Sequence, residues 1–156
     1  MGKEIEKIKI STGNQKDNYA VILDYLSRGY LNKNMTKFRG KPIAQAIGIC
    51  HFSFLELAPK YEVDLEIQEL VYIGKGKREK IYRVLGKLDL ENLSATSRID
   101  LSYVIEDIVE ANLDNYIEFF NNAKSLSWDL HELGLLPGIG EKTVRAILKE
   151  RERKKI

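Results

Sequence analysis

Near its C-terminal end the chain reads Leu136-Pro-Gly-Ile-Gly-Glu-Lys-Thr143, and a basic, amphipathic stretch follows. Glycine supplies positive φ and lets a backbone come close to a ligand. The first turn of a helix leaves N–H groups without intrahelical acceptors and carries the positive end of the macrodipole, so it attracts anions. Lys142 adds a charge there, Thr143 a hydroxyl and Arg145 a second cation. Gly138, Ile139, Gly140, Lys142, Thr143 and Arg145 are therefore the candidate phosphate-binding set, with Ile139 turned inward to hold the hairpin. A site of this kind grips a phosphate and not a base, so binding is expected to be independent of sequence and sensitive to salt. The plain alternative is a glycine-rich αα-hairpin that only packs. Nothing in packing alone asks for Lys and Thr just after the glycines.

Two further stretches carry clustered cations. The segment "GKGKREK" offers Lys75, Lys77, Arg78 and Lys80 around two glycines, and "NMTKFRGK" offers Lys37, Arg39 and Lys41. Phe38 lies between charges, where a ring could stack on a base. Either loop alone reads equally well as solubilising turn residues. Together with the hairpin they point to a composite nucleic-acid surface. "GKGKREK" is not a nucleotide-binding loop, because it lacks the G-x-x-x-x-G-K-[ST] spacing and a strand rather than a helix follows it.

Other chemistries find little support. Cys50 is the single cysteine, so an intramolecular disulfide and a zinc site built on several thiolates are both excluded. His51 and His131 lie far apart without metal-ligand spacing. They, Cys50 and Trp128 read as structural, and no metal or cofactor is expected. No apolar run reaches spanning length, and the charged start is unlike a signal peptide, so a cytoplasmic protein without a membrane segment is expected.

The elements that must position these residues come from the remaining pattern. The chain has 156 residues, 44% hydrophobic and 31% charged, enough for one domain or two small ones. Its net charge of +2 is unevenly spread. Residues 1–88 carry 16 basic against 10 acidic side chains, residues 89–132 carry 2 against 10, and residues 133–156 carry 7 against 3. Two basic regions flank an acidic one, which reads as solvated faces or as two polyanion surfaces.

Residues 1–17 read as a mobile leader. β-branched and aromatic residues predict strands at 19–26, 70–73 and 81–85, with a partly alternating stretch at 43–59 in which Phe52, Phe54 and Leu55 face a core. Short strands joined by Gly-rich, basic loops suggest a small closed barrel over 18–88. From residue 89 the period becomes helical. Ile105, Ile108, Val109, Ile117 and Phe120 mark a long acidic helix over 103–122, with Ser102 as its cap and Glu106 and Asp107 in its first turn. Its acidic face is solvated or meets a protein partner. A shorter helix carries Leu126, Leu130 and Leu133, with Gly134 as its C-terminal cap, and a last helix starts after Gly140 with Val144, Ile147 and Leu148 on one face.

The helix, tight Leu-Pro-Gly-Ile-Gly turn and helix at about 126–153 resemble a helix-hairpin-helix nucleic-acid-binding motif. At whole-chain level the sequence resembles the archaeal "domain of unknown function 655" family, through "YAVILDYL", "KPIAQAIG", "FSFLEL", "VYIGKGKREKI", "YVIEDIVEAN", "FFNNAK" and "LHELGLLPGIGEKT", in that order. The resemblance implies an α+β chain: a small β-barrel of oligonucleotide-binding (OB-like) type, then an all-α helix-hairpin-helix domain over 89–156. It implies binding of RNA or DNA in the setting of translation and rRNA maturation. Similar proteins continue into a second, degenerate helix-hairpin-helix unit, which is expected to be missing here because the sequence stops at Ile156.

A DNA-repair glycosylase/lyase is the enzymatic rival. In that superfamily a lysine after such a hairpin attacks the sugar carbon, and Lys142 stands in that place. Those enzymes also use an aspartate further downstream, beyond the end of this sequence, and many carry a four-cysteine iron–sulfur loop absent here. A third reading is a component that docks on a larger nucleoprotein such as a ribosomal subunit. The sequence thus leads to the expectation of a non-catalytic nucleic-acid-binding protein, with RNA, ribosomal RNA above all, ahead of DNA.

Overall fold

A computed structural model describes Ile5 and residues 16–30, 40–124, 133 and 138–154. Five strands form one sheet: β1 (Tyr19–Leu26), β2 (Ile43–Gly48), β3 (Phe54–Pro59), β4 (Leu70–Tyr72) and β5 (Ile81–Lys87). Their order is β4-β1-β2-β3-β5, and all four pairings are antiparallel. The strands expected at 19–26, 70–73 and 81–85 are present, and the stretch 43–59 is a hairpin of two strands. Its turn holds Phe52 at φ 53°.

β1 and β2 are buried on both faces, which is why they read as continuous apolar runs. On one face Ala20, Ile22, Ala44, Ala46, Leu57 and Ile81 join Leu55 and Val71 in a core to which every strand contributes. On the other face Val21, Leu23, Ile47 and Ile49 pack with Ile5, Val104 and Ile108. Leu55 enters the first cluster, whereas Phe52 and Phe54 lie against the second.

The sheet curls into a half-barrel. Since every pairing is antiparallel, the two edges β4 and β5 run in the same direction. Their connection, residues 73–80, is shorter than the roughly dozen residues a parallel crossover needs, and β4 and β5 form no ladder with each other. Side chains draw the edges together instead: Lys80, just before β5, forms an ion pair with Glu69, just before β4. On the other side of β5, the Lys60 N–H donates to the Lys80 carbonyl at 2.8 Å and so extends the β3–β5 pairing past Pro59↔Ile81. The barrel expected from the sequence is therefore open along this seam.

A short 3-10 turn (Leu90–Asn92) leads to helix α1 (Ala95–Ala111). The sequence placed this start at Ser102, but Ser94 is the cap: its Oγ accepts the Ser97 N–H at 3.1 Å. The same hydroxyl donates to Asp24 Oδ2 at 2.5 Å, and Ser97 Oγ donates to Gln45 Oε1 at 2.8 Å. Gln45 Nε2 donates to the Asn92 carbonyl at 3.0 Å and to the Tyr30 hydroxyl at 3.3 Å, and Tyr30 donates to Glu56 at 2.6 Å. Asp24, Gln45 and Ser97 are buried polar groups, and this network supplies the partners that burial demands. It also explains the early start. The first turns of α1 are polar because they sit on Asp24 and Gln45, so hydrophobic period alone does not find them.

The change from strand to helix falls at residue 89 as read, but the chain divides by contacts after Ala111. α1 packs Val104 and Ile108 on the sheet and so belongs to the first unit. The second unit, Asn112–Ile156, holds α2 (Leu113–Asn122) and α3 (Glu141–Arg153). The single acidic helix expected over 103–122 is thus two, broken at Asn112, whose φ/ψ of −121°/18° is not helical. In the second unit Ala123, Leu133 and Val144 are buried, with Phe120, Ile139, Ile147 and Leu148 packed around them. Arg151 Nη1 donates to the carbonyls of Phe120, Asn121 and Ala123 at 3.2, 3.2 and 2.8 Å, satisfying oxygens that the end of α2 leaves unpaired. The helix expected around Leu126 and Leu130, Trp128 and the Gly134 cap lie outside the described residues; Leu133 is described and buried.

Candidate nucleic-acid interface

The hairpin residues are presented by a turn and the open start of a helix. Gly138 has φ 78°, the left-handed region that favours glycine. Gly140 does not: at φ −90° and ψ 176° it is extended, and a Cβ there would meet nothing within 4 Å. Both glycines can adopt positive φ, and Gly138 alone does so. Gly140 is the N-cap of α3 and offers no side-chain acceptor. The Val144 N–H donates to the Gly140 carbonyl at 3.0 Å, while the N–H groups of Glu141, Lys142 and Thr143 have no acceptor among the described residues. Lys142 and Thr143 are exposed, and Ile139 is half-buried against Val144 and its neighbours, holding the turn to the helix. Arg145 is exposed too, but it pairs with Glu141 one turn back.

In the first unit the loop after β4 is tightly built. The Gly76 N–H donates to the Tyr72 hydroxyl at 2.9 Å, and the Tyr72 ring meets Tyr19 edge to face at 5.2 Å. A Cβ on Gly74 would collide with that hydroxyl and with Asn18. The glycines of "GKGK" are thus required by the approach of Tyr72. The four cations of this loop divide into two kinds. Arg78 is half-buried; its Nε donates to the Gly74 carbonyl at 2.8 Å and its Nη1 to the Tyr82 carbonyl at 3.5 Å. Lys80 is bound to Glu69, a hydrogen bond that raises its pKa. Lys75 and Lys77 are exposed and hold no ion pair among the described residues. Lys41 is exposed, while Lys37, Phe38 and Arg39 lie outside the described residues.

The sequence reading missed Tyr82 and Arg83, both exposed on β5. The signal was a strand whose Ile81 faces inward while the next two positions carry an aromatic ring and a charge. His51 reads as structural from the sequence, and its contacts are of that kind. His51 Nδ1 lies 3.5 Å from Asp17 Oδ2, and Asp17 Oδ1 accepts the Cys50 and His51 N–H groups at 2.7 and 3.3 Å. That carboxylate is nearly buried and closes the β2–β3 turn, a structural use. No group of three or more metal-ligating side chains occurs among the described residues, and none of their helices is long and apolar enough to cross a membrane.

An α+β chain with a curled antiparallel half-barrel and a glycine turn opening its last helix is therefore the class of protein at hand. The chain belongs to the DUF655 family, described as "Protein of unknown function (DUF655)", whose model matches residues 16–156. It is similar to the uncharacterised protein MJ0038 of Methanocaldococcus jannaschii, 42% identical over 139 residues. That match covers 89% of this chain but 62% of the relative, so the chain spans less than two thirds of its length. It is also similar to the crystal structure of Af1531 from Archaeoglobus fulgidus, a DUF655 protein, with 34% identity and a TM-score of 0.70 over 89% of this chain and 77% of that one. Family membership and its archaeal distribution thus agree with the resemblance read from the sequence.

Proposed function

We propose that this protein binds nucleic acid without catalysing a reaction on it, with RNA, ribosomal RNA foremost, as the partner. In this reading the half-barrel is of oligonucleotide-binding type and the second unit carries a helix-hairpin-helix motif. The observation that carries the reading is the open start of α3: Gly138 at positive φ, three N–H groups with no acceptor among the described residues, and exposed Lys142 and Thr143 in the same turn. Those groups suit a phosphodiester, and none of them suits a base edge. The exposed Lys41, Lys75 and Lys77 supply further phosphate contacts on the first unit.

The test is a salt titration of binding to labelled RNA by the full chain and by Lys142→Ala. Each phosphate contact adds roughly 0.7 to 0.9 to the slope of log K against log salt. Lys142→Ala should lower that slope by about one contact, equally for unrelated sequences. An unchanged slope would mean that the hairpin only packs.

A second reading, a component that docks on a ribonucleoprotein through protein contacts, is favoured by one observation. Ile99 and Tyr103 stand one turn apart on α1, 68% and 60% exposed, among acidic neighbours. It predicts weak binding to free RNA and firm co-sedimentation with ribosomal subunits.

A further inference from the structure

β5 is an edge strand with two irregularities. Its pairing with β3 runs Pro59↔Ile81, Ala58↔Arg83, Leu57↔Val84 and Glu56↔Gly86, so Tyr82 and Leu85 are extra residues, each at a β-bulge. A bulge turns a side chain away from the regular alternation, and bulges collect at sheet edges and beside functional sites. Tyr82 is accordingly 71% exposed.

Bulges and charges on an edge strand have a plain use, since they prevent edge-to-edge aggregation. An exposed aromatic ring does not serve that use. Its surroundings suggest another. Arg78 donates both to the Gly74 carbonyl and to the Tyr82 carbonyl, so it ties the loop that displays Lys75 and Lys77 to the backbone beneath the Tyr82 ring. From residue 75 to 87 the chain has six basic residues and one acidic residue, Glu79. Of these cations Lys80 is neutralised by Glu69 and Arg78 is turned to carbonyls, which leaves Lys75, Lys77, Arg83 and Lys87 exposed on the loop and strand that carry the ring, Lys87 at the far end of β5.

From this juxtaposition we infer that the β4–β5 loop and β5 form a binding site for single-stranded nucleic acid, with a base stacked on Tyr82 and the flanking phosphates held by Lys75, Lys77 and Arg83. Arg78 and Tyr72 are positioning residues: one links the loop to β5, and the other folds the loop by accepting the Gly76 N–H. The inference rests on the nucleic-acid reading above and adds the strandedness of the ligand and the base contact. A duplex keeps its bases stacked inside and offers this ring nothing, whereas every unpaired base has a free face for an aromatic side chain.

The test uses the full chain and fluorescence anisotropy with a labelled oligouridine of about 12 nucleotides, the oligodeoxythymidine of the same length, and a duplex of mixed sequence. Tyr82→Ala should weaken binding to both single strands roughly tenfold and leave duplex binding unchanged, while Tyr82→Phe, which keeps the ring, should stay close to the parent. Equal affinities of the parent and Tyr82→Ala for the single strands would overturn the inference but not the nucleic-acid reading. So would equal losses on single strand and duplex, or a loss in Tyr82→Phe as large as in Tyr82→Ala. A parent chain that binds none of the three probes would overturn both.

Discussion

Ser94→Ala tests how the helix that backs the sheet is held. The Ser94 hydroxyl accepts the Ser97 N–H at 3.1 Å and donates to Asp24 Oδ2 at 2.5 Å. Loss of the cap costs about 1 kcal/mol. Asp24 is 7% exposed, and a buried carboxylate short of a donor costs about 1–3 kcal/mol more. The expected destabilisation is therefore about 2–4 kcal/mol. With a urea dependence of about 2 kcal/mol per molar, the unfolding midpoint should fall by about 1–2 M, read by far-ultraviolet circular dichroism. Ser94→Thr keeps the hydroxyl and should recover most of the loss. Ser102→Ala, at an exposed position inside α1, should change stability by less than about 0.5 kcal/mol. A Ser94→Ala loss below about 0.5 kcal/mol, or a Ser102→Ala loss equal to it, would refute both the cap and the network.

Two further outcomes concern ionisation. Burial, and then the hydrogen bond to Glu56, hold the Tyr30 phenol well above its ordinary pKa. A group that keeps its proton more tightly when folded contributes stability that is complete below the unfolded pKa, about 10, and declines as pH rises beyond it. Urea midpoints between about pH 8 and 11.5 should therefore fall steeply above pH 10, and less steeply in Tyr30→Phe; parallel profiles would contradict the assignment. The Lys80–Glu69 pair joins the two sheet edges but is partly exposed, so Lys80→Met should cost under about 1 kcal/mol, less in about 1 M salt. Because its charge is already matched, RNA affinity should stay within about twofold, whereas Lys75→Ala and Lys77→Ala should each reduce the salt slope.

How far the sequence led depended on whether a residue's role is local. Strands β1, β4 and β5 follow from β-branched runs bounded by glycine and polar turns, and α3 from its glycine start and its Val144, Ile147 and Leu148 face. These signals lie within a few residues of the element they specify. The start of α1 escaped because Ser94 and Ser97 answer to Asp24 and Gln45, far away in the chain. The break at Asn112 escaped because apolar residues recur at helical spacing on both sides of it. Closure of the barrel was overread, since strand count says nothing of whether the last two edges run in compatible directions.

The candidate sites divide in the same way. Lys142 and Thr143 could be placed from one short motif. Composition could not tell that Arg78 and Lys80 serve the fold while Lys75 and Lys77 face solvent, because the difference lies in carbonyls and a carboxylate contributed by other segments. Gly140 could have adopted positive φ but is extended, and as the N-cap it brings no side-chain acceptor to the helix start. The pattern of β5 hints at an aromatic ring beside a charge, but only the strand register shows Tyr82 to be the extra residue of a bulge.

The central claim is that this chain holds nucleic acid by its phosphates. Its most direct measurement is the equilibrium binding of the full chain to labelled RNAs of unrelated sequence, by fluorescence anisotropy from about 50 to 200 mM salt. The account predicts binding at low salt with similar affinities across sequences and a linear fall of log K with log salt. Absence of binding at the lowest salt, or an affinity that does not change with salt, would contradict it.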